Sequence, residues 1–335
     1  MFNLYIFLLF FNLIFIFYFK NISQYINLFD IPNQLRKFHK KKIANIGGIL
    51  IFLNLLFFII YFIFSNNVFH NLNFVLTKEE IYNFFIFSSL FFIIGFLDDK
   101  YELSPNLKLI LFTFVISCLL FFEKNILITE IRFSFLRQSI NISKISFFFT
   151  SMSFLLFINA FNMFDGINLQ SAFYSLFLLF IFLIIGFAVE IIVVLIFSLL
   201  FFTYLNYKNK CFLGDNGSLI IAFILSFLFI KSYNSNYIIF ADQIFLLMMI
   251  PGIDLLRLAI TRIYNGKHPF RGDRDHFHHN ILVKYGHNKT VLIIFLIIAI
   301  PSLISLAFGG TLYLILLSGA LYFVLLFNVK KINFC

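Results

Sequence analysis

The most polar stretch of the chain, residues 267–280, carries seven side chains suited to binding phosphates or moving protons. They lie within nine residues of the sequence K-H-P-F-R-G-D-R-D-H-F-H-H-N: Arg271, Asp273, Arg274, Asp275, His276, His278 and His279. The planar guanidinium fork of arginine matches the geometry of phosphate oxygens, and histidine changes charge near neutral pH. Because the stretch separates two long apolar blocks, we expect a loop at a membrane surface, where it can meet charged soluble substrates.

Other acidic residues stand at the ends of apolar blocks or inside one. They are Asp98 and Asp99 in G-F-L-D-D-K, Asp165 in F-N-M-F-D-G-I-N, Asp215 in F-L-G-D-N-G-S and Asp254 in P-G-I-D-L-L-R. A charge near a membrane core costs at least about 2.5–3.5 kcal/mol and by default marks function. Gathered carboxylates repel unless a cation intervenes, and without a cysteine cluster they suit Mg²⁺ or Mn²⁺. A magnesium ion so held completes its shell with water and substrate phosphates. The pattern therefore predicts a membrane enzyme that handles a diphosphate or nucleotide.

Each motif also has a simpler interpretation. The acidic pair 98–99 could be a hydrated helix end, and Asp215 could belong to a tight turn that caps the next helix. Asn159 and Asn162 share a helix face and could bond only to neighbouring helices. His276 and His279 could form part of a zinc site, although no third soft ligand is evident. Together, and all on one predicted face, the motifs favour catalysis.

The composition predicts an integral membrane protein. Of 335 residues, 61% are hydrophobic and 12% are charged, and the mean hydropathy is +0.98, whereas soluble domains are about 45–50% apolar and about 25% charged. The three cysteines suggest neither a disulfide framework nor a zinc site. The first apolar stretch lacks the features of a cleaved signal peptide, so we expect a retained span. Without an internal repeat or a soluble domain, residues 1–335 are expected to form a single membrane domain.

An all-α bundle of eleven transmembrane helices is predicted, because a span needs about 20 apolar residues. The spans are roughly 2–19, 46–64, 81–97, 107–122, 146–161, 169–187, 188–205, 218–231, 239–260, 290–308 and 311–329. An N-out, C-in orientation places all but six of the 25 Lys and Arg residues on the cytoplasmic side, as the positive-inside rule requires. The net charge of +10 is then a topology signal and an attraction for anionic membrane lipid, and nucleic-acid binding is not expected. In the outer segment 123–145, apolar residues alternate weakly with other residues. This pattern predicts a short extracytoplasmic hairpin.

Taken together, these motifs resemble those of a known family, the polyprenyl-phosphate N-acetylhexosamine-1-phosphate transferases of the glycosyltransferase family 4 type. The resemblance covers D-I-P-N-Q-L-R-K-F-H (30–39), Gly47-Gly48, the acidic pair 98–99 through Lys108, N-A-F-N-M-F-D-G-I-N (159–168), Asn206, F-L-G-D-N-G-S (212–218), P-G-I-D (251–254) and P-F-R-G-D-R-D-H-F-H-H (269–279). The D-x-x-H-x-H-H form is similar to the bacterial undecaprenyl-phosphate GlcNAc-1-phosphate branch. One departure is clear, because the family usually continues D-G-x-x-G-L where this chain has Leu169 and Gln170. The departure puts nucleotide or sugar contacts of this loop in question, but not the reaction class.

The resemblance implies transfer of a HexNAc-1-phosphate, with GlcNAc as the default, from a UDP-N-acetylhexosamine to undecaprenyl phosphate with release of UMP. It implies Mg²⁺, with Mn²⁺ as an alternative, at the cytoplasmic face of a bacterial inner membrane. The reaction would begin a cell-surface glycan such as O-antigen lipopolysaccharide, teichoic acid or a similar cell-wall polymer. The implied catalytic residues are Asp98, Asp99, Asp215 and His276, and the implied metal ligands are Asp215 and Asp165. The implied substrate-binding residues are Asn159, Asn162, Asp165, Asn206, Arg271, Arg274, His278, His279, Arg36 and Lys37.

Several alternatives stay open at this stage. The donor could be another UDP-HexNAc, such as a 6-deoxyhexosamine. A secondary transporter also carries intramembrane acids, but near the midplane on broken helices, and a non-catalytic lipid-binding homologue would fit the altered 165–170 loop. A CDP-alcohol phosphatidyltransferase would need a D-G-x-x-A-R motif, which the sequence lacks. The sequence does not decide whether the protein forms a homodimer.

Overall fold

The computed structural model describes residues 1–32, 41–65, 75–266 and 275–330. Within these ranges the chain is almost entirely helical. The α-helices, in chain order, are α1 Phe2–Phe17, α2 Phe19–Ile26, α3 Gly47–Phe64, α4 Lys78–Tyr101, α5 Pro105–Phe122, α6 Ser146–Phe164, α7 Gln170–Ile184, α8 Val189–Tyr207, α9 Gly214–Asn234, α10 Ala241–Tyr264, α11 Phe277–Tyr285, α12 His287–Phe308 and α13 Thr311–Lys330. The predicted all-α membrane architecture is confirmed.

Each of the eleven predicted spans coincides with one of these helices, but not all of them meet the requirements of a span. Nine helices in the described ranges are long and apolar enough to cross a membrane, and α1 with α2 makes a tenth if that bent pair is one span. Helix α7 has 15 residues, so it is about 22 Å long, whereas the apolar core of a bilayer is about 30 Å thick. The total of eleven spans therefore remains a prediction.

Local sequence explains where the helices on either side of the acidic pair begin. Thr77 precedes α4, and its side chain accepts from the backbone N–H of Glu80 while the Glu80 carboxylate accepts from the N–H of Thr77. This capping box satisfies two donors that a helix start leaves without partners. Helix α5 begins at Pro105, where proline lacks a donor that the first turn does not need, and Ser104 accepts from Leu107 N.

The described strands are short. β1 (Phe29–Asp30) pairs antiparallel with β2 (Ile43–Ala44). β3 (Glu130–Ile131) pairs antiparallel with β4 (Ile140–Asn141). The second pair confirms the hairpin predicted within 123–145, while its side of the membrane remains a prediction.

The chain forms two compact units. Unit 1 comprises Met1–Lys124 and Ala172–Phe227, and unit 2 comprises Asn125–Ser171 and Leu228–Cys335. In unit 1, α3 packs on α1, α4 and α8, and buried Asn12 and Asn54 exchange two amide hydrogen bonds of 2.8 and 3.0 Å between α1 and α3. In unit 2, α10 packs on α6, α12 and α13, and the short helix α11 packs on α12 and α13.

Candidate active site

In unit 1, helix α4 ends in a buried acidic pair. Asp98 is 3% exposed and Asp99 is half-buried, so the pair is not a hydrated helix end. Asp98 accepts a hydrogen bond of 3.0 Å from Leu103 N and forms an ion pair with the Lys108 ammonium at the start of α5. The lysine compensates a carboxylate that burial would otherwise make costly.

Asp99 serves as the N-terminal cap of a different helix, α9. Its carboxylate oxygens accept from the backbone N–H groups of Asp215 and Asn216 at 3.0 and 2.8 Å, and from the side-chain amide of Asn45 at 3.3 Å. The first N–H groups of a helix have no intrahelical partner and lie at the positive end of its dipole, so a carboxylate stabilises them. The sequence G-D-N-G-S does start a capped helix, but the capping residue is Asp99.

Two glycines let backbone segments approach this loop closely. A Cβ at Gly95 would lie 2.3 Å from the carbonyl oxygen of Asp215, and a Cβ at Gly48 would lie 2.3 Å from Gly217 N. Gly48 N also donates to the carbonyl of Leu213 at 3.2 Å. The start of α3 and the end of α4 therefore hold the 212–217 loop by direct backbone contact.

The three carboxylates of Asp98, Asp99 and Asp215 form the acidic centre of unit 1. The charge of half-buried Asp215 acts on both of the other carboxylates, and neighbouring like charges repel. Hard oxygen donors under mutual repulsion are the chemistry that a divalent cation such as Mg²⁺ requires. The acidic centre therefore offers the donor chemistry that Mg²⁺ requires. However, in the described part of the chain its three carboxylates do not form a group whose ligand atoms all lie within 4.8 Å of one another, as Asp254, His276 and His278 do.

Asn206 and Cys211 stabilise the turn before this loop. Asn206 is 4% exposed and donates to the carbonyl of Cys211 at 2.8 Å, a structural contact that differs from the predicted contact with substrate. Burial raises the pKa of the Cys211 thiol to about 12, so Cys211 is not a thiolate nucleophile at neutral pH.

In unit 2, the buried carboxylate of Asp254 on α10 fixes the start of the histidine helix α11. It accepts from Phe277 N at 3.1 Å, from Tyr322 Oη at 2.7 Å and from Arg257 Nη2 at 2.6 Å. His276 Nδ1 lies 3.5 Å from the same carboxylate. Asp254 thus caps α11 and lies beside the first histidine of the motif.

The three histidines of the motif lie together. The ring centroids of His276 and His278 are 5.3 Å apart, and those of His278 and His279 are 4.2 Å apart. His278 is 2% exposed, and its Nε2 would lie 2.0 Å from a Cβ at Gly166. Burial holds the pKa of His278 well below its ordinary value, and the neighbouring His279 and His276 lower it further. The imidazole of His278 is therefore neutral at pH 7.

Asp254, His276 and His278 form the histidine centre of unit 2. Their potential ligand atoms lie within 4.8 Å of one another, so Asp254 is the third candidate ligand that the sequence did not reveal. However, Asp254 already accepts from Tyr322, Arg257 and Phe277, and a metal would have to share it with the Arg257 cation. The geometry therefore favours an orienting carboxylate over a zinc ligand.

Comparison with known proteins shows that the chain is similar to membrane-lipid sugar-phosphate transferases. The model of glycosyl transferase family 4 matches residues 81–233. The undecaprenyl-phosphate alpha-N-acetylglucosaminyl 1-phosphate transferase of Escherichia coli K12 is 24% identical over 284 residues, which are 81% of this chain and 74% of that protein. The probable undecaprenyl-phosphate N-acetylglucosaminyl 1-phosphate transferase of Bacillus subtilis 168 is 24% identical (83% and 76% covered), and the Yersinia pestis transferase is 26% identical (83% and 75% covered).

The family resemblance predicted from the motifs is confirmed. The matched family and the relatives are transferases by name, which favours an enzyme over a transporter. The acidic pair lies within the matched residues, whereas the histidine motif lies beyond them.

The departure from the family pattern has a structural consequence. Leu169 stands where these transferases usually have glycine, and its φ is +69°, in the left-handed region that favours glycine. Gln170 stands where they usually have leucine. It is 3% exposed, and within the described part of the chain neither atom of its amide has a hydrogen-bond partner. The loop keeps a glycine-type conformation without the glycine.

The other predicted residues of the Asp165 loop belong to unit 2. Asp165 ends α6 and accepts a hydrogen bond from the hydroxyl of Ser171. Asn159 donates to the carbonyl of Leu155 at 2.7 Å, one turn back in its own helix, and Asn162 lies half-buried on the same helix. Arg36, Lys37, Arg271, Arg274 and Asp273 lie outside the described residues.

Three residues with clear structural functions are not among the predicted site residues. Asn216 lies within the 212–218 motif but had no predicted function, and Asn45 lies just before the Gly47-Gly48 pair; a polar residue near glycines was the available signal for both. Tyr322 had no signal, because one tyrosine in an apolar helix resembles any core aromatic residue.

Proposed function

We propose that this protein transfers a HexNAc-1-phosphate, with GlcNAc as the first donor to test, from a UDP-sugar to undecaprenyl phosphate and releases UMP. The observation that carries the proposal is the acidic centre of unit 1, with Asp215 held by Asp99 and Asp98 paired with Lys108. The relatives, which are undecaprenyl-phosphate GlcNAc-1-phosphate transferases by name, support the same reaction class. A different UDP-HexNAc, such as a 6-deoxyhexosamine, is the second candidate donor.

In the proposed reaction, an oxygen of the lipid phosphate attacks the sugar-proximal phosphorus of the diphosphate. The bond from that phosphorus to the bridging oxygen breaks, and UMP leaves with the bonding electrons. A phosphate monoester has a second pKa of about 6, so the nucleophile is already largely dianionic and needs little help from a base. Asp98 and Lys108 therefore act by positioning, with the lysine offsetting the charge of two approaching anions.

We assign Asp215 as the principal ligand of Mg²⁺, with Mn²⁺ as a substitute. Asp165, the other ligand that the sequence predicts, belongs to unit 2, and its part in metal binding stays a prediction. When bound, the metal neutralises charge on the diphosphate and on the leaving UMP. Asp99 holds the loop that carries Asp215, since its oxygens accept two backbone N–H groups of that loop. Its function is thus to position Asp215.

The histidine motif is assigned to phosphate binding. Asp254 orients His276, and the neutral imidazole of His278 offers a hydrogen bond without adding charge. Arg271, Arg274 and His279 are proposed to bind phosphate oxygens, and Asn159 and Asn162 are proposed to face the nucleotide or metal-bound water. Arg36 and Lys37 are proposed to receive the acceptor lipid.

We further propose that the enzyme lies in the bacterial cytoplasmic membrane with its N-terminus outside and its C-terminus inside. This orientation follows from the distribution of Lys and Arg and puts the acidic centre at the cytoplasmic face, where UDP-sugars are available. The reaction would be the first membrane step of a cell-surface glycan.

The decisive experiment is a panel of UDP-sugars with undecaprenyl phosphate and the purified protein in detergent, scored by UMP release. We expect release to require both substrates and Mg²⁺. Asp215→Asn should lose at least about 100-fold in activity, as expected for loss of a metal ligand, while unfolding at the same temperature as the wild type. Asp99→Ala, by contrast, should lower the unfolding temperature, because it removes the cap of α9, which is worth about 1 kcal/mol. Normal turnover by Asp215→Asn would refute the metal assignment, and no UMP release with any donor would refute the reaction.

A further inference from the structure

The junction of α1 and α2 in unit 1 has the features of a membrane interface. The two helices are bent by 74° at Tyr18. Phe17, Tyr18 and Tyr25 around the bend are 80%, 51% and 93% exposed. Tyrosine is enriched at the level of lipid headgroups, so we expect the bend to lie where the apolar helix α1 leaves the membrane.

Helix α2 is amphipathic, unlike α1. Phe19 and Ser23, one turn apart, are 9% and 5% exposed, whereas Lys20 and Gln24 on the other face are exposed. A short helix with one buried and one polar face, joined at a steep angle to an apolar span, is suited to lie in the plane of the interface.

A groove of about 700 Å³ lies beside this bend. Four lysines from three separate segments converge on it: Lys20 from α2, Lys41 and Lys42 from the segment before β2, and Lys210 from the turn after α8. Ile16, Phe17 and Phe19 form an apolar wall of the same groove, and none of its lining residues in the described part of the chain is acidic. Four like charges on one concave surface repel one another unless an anion lies among them.

We propose that this groove binds the headgroup phosphate of an anionic membrane phospholipid, with the acyl chains lying along α1. The lysines supply the charge that an anionic headgroup requires, at about 1 kcal/mol each near a membrane surface. The apolar wall and the exposed aromatic residues at the bend favour a lipid over a soluble anion, which would gain nothing from them. None of the groove residues belongs to the acidic centre, so this site is distinct from the proposed reaction site and goes beyond the proposed function.

The absence of tryptophan from the chain permits a direct test by single-tryptophan fluorescence. Full-length Phe17→Trp protein is reconstituted in bilayers in which either phosphatidylglycerol or phosphatidylcholine carries brominated chains, and quenching is measured at equal mole fractions. We expect brominated phosphatidylglycerol to quench the introduced tryptophan several-fold more effectively. A second reporter, Phe308→Trp at the 87% exposed end of α12, should show no such preference.

The lysines are then changed in the Phe17→Trp background. Each of Lys20→Gln, Lys42→Gln and Lys210→Gln should reduce the relative affinity for phosphatidylglycerol by about fivefold, and the triple variant, which keeps only Lys41 of the four lysines, should remove most of the preference. The matched control changes three exposed lysines elsewhere, Lys124, Lys144 and Lys289, to glutamine. It has the same loss of net charge, and we expect it to leave the quenching of the groove reporter unchanged.

Three results would overturn the proposal. They are equal quenching by both lipids, an unchanged preference in the triple variant, and an equal loss in the control triple. In two further arms, inorganic phosphate at millimolar concentration or undecaprenyl phosphate is added to bilayers that contain brominated phosphatidylglycerol. Complete loss of the phosphatidylglycerol-dependent quenching in either arm would reassign the groove to that anion. Because quenching requires no turnover, the result is independent of whether the protein transfers a sugar phosphate.

Discussion

The hydroxyl of Tyr322 donates to Asp254 Oδ1 at 2.7 Å across 68 residues of sequence and accepts from Arg257 Nε at 2.9 Å. Its ring packs on Phe277, with centroids 4.3 Å apart, and is fully buried. Tyr322 thus contacts both the carboxylate that caps the histidine helix and the first residue of that helix. A tyrosine in helix α13, outside every motif, positions the histidine centre.

Removing only this hydroxyl tests that function. Tyr322→Phe keeps the ring but leaves Asp254 with one donor fewer, so we expect a loss of about 1–3 kcal/mol in stability. We also expect kcat to fall about tenfold with KM changed less, because His276 loses its orientation. Turnover kinetics and thermal unfolding in detergent measure both effects.

Tyr313 provides the matched control on the same helix, since it is 78% exposed. Tyr313→Phe should leave both quantities as they are in the wild type. A Tyr322→Phe enzyme with reduced stability but unchanged kcat would make the tyrosine structural only.

The contrast between Asp99 and Tyr322 shows what the sequence could and could not predict. The acidic residues at the ends of apolar blocks were recognisable because charge near a membrane is costly and so indicates function. That Asp99 caps a helix whose Asp215 lies 116 residues later depends on tertiary contact, and no local pattern encodes it. The positions of the predicted helices followed from hydrophobic runs. Helix α7 has the composition of a transmembrane span, and only its short length distinguishes it from one, so the sequence pattern could not separate the two.

Gly95 offers a test of the backbone contact within the acidic centre. A methyl group there would lie 2.3 Å from the Asp215 carbonyl oxygen and 2.6 Å from Asn216 Cα, so the backbone of the loop must shift. We expect Gly95→Ala to lose more than about tenfold in activity and about 1–3 kcal/mol in stability. UMP release and thermal unfolding are the measurements.

The control for helix propensity is Gly252→Ala in α10, where an added Cβ meets nothing within 4 Å. It should be fully active and no less stable, because alanine is the better helix former by about 1 kcal/mol. Equal effects of the two substitutions would show that the close approach at Gly95 is unimportant.

Two substitutions in the 169–170 loop are expected to stabilise the folded protein. Leu169→Gly should relieve a left-handed conformation that costs about 1–2 kcal/mol, against about 0.5–1 kcal/mol of added chain entropy for glycine. Gln170→Leu should gain about 1–3 kcal/mol, because a buried amide without partners is replaced by an apolar side chain. Thermal unfolding of each variant checks the sign.

Gln138→Leu, at an exposed position, controls for the general effect of replacing glutamine by leucine. If Gln170→Leu leaves stability unchanged but alters KM for the UDP-sugar, Gln170 contacts the donor and the departure from the family pattern is a specificity feature.

His278 predicts a specific pH dependence of stability. Its pKa in the folded protein lies well below the ordinary value, which is about 6.5, so between these two values the unfolded chain binds a proton that the folded one does not. The contribution of His278 to the free energy of unfolding is therefore fully present above about pH 6.5 and decreases as the pH falls below that value. His276, His279 and Asp254 surround the ring; the histidines add to the effect and the carboxylate opposes it.

We expect the unfolding temperature of the wild type to fall between about pH 7.5 and 5.5 by more than that of His278→Gln, which cannot take up the proton. His287→Gln, at a histidine outside this cluster, should retain the slope of the wild type. Parallel slopes for the wild type and His278→Gln would mean that the acid sensitivity arises elsewhere and that a neutral His278 is not a condition of the folded state.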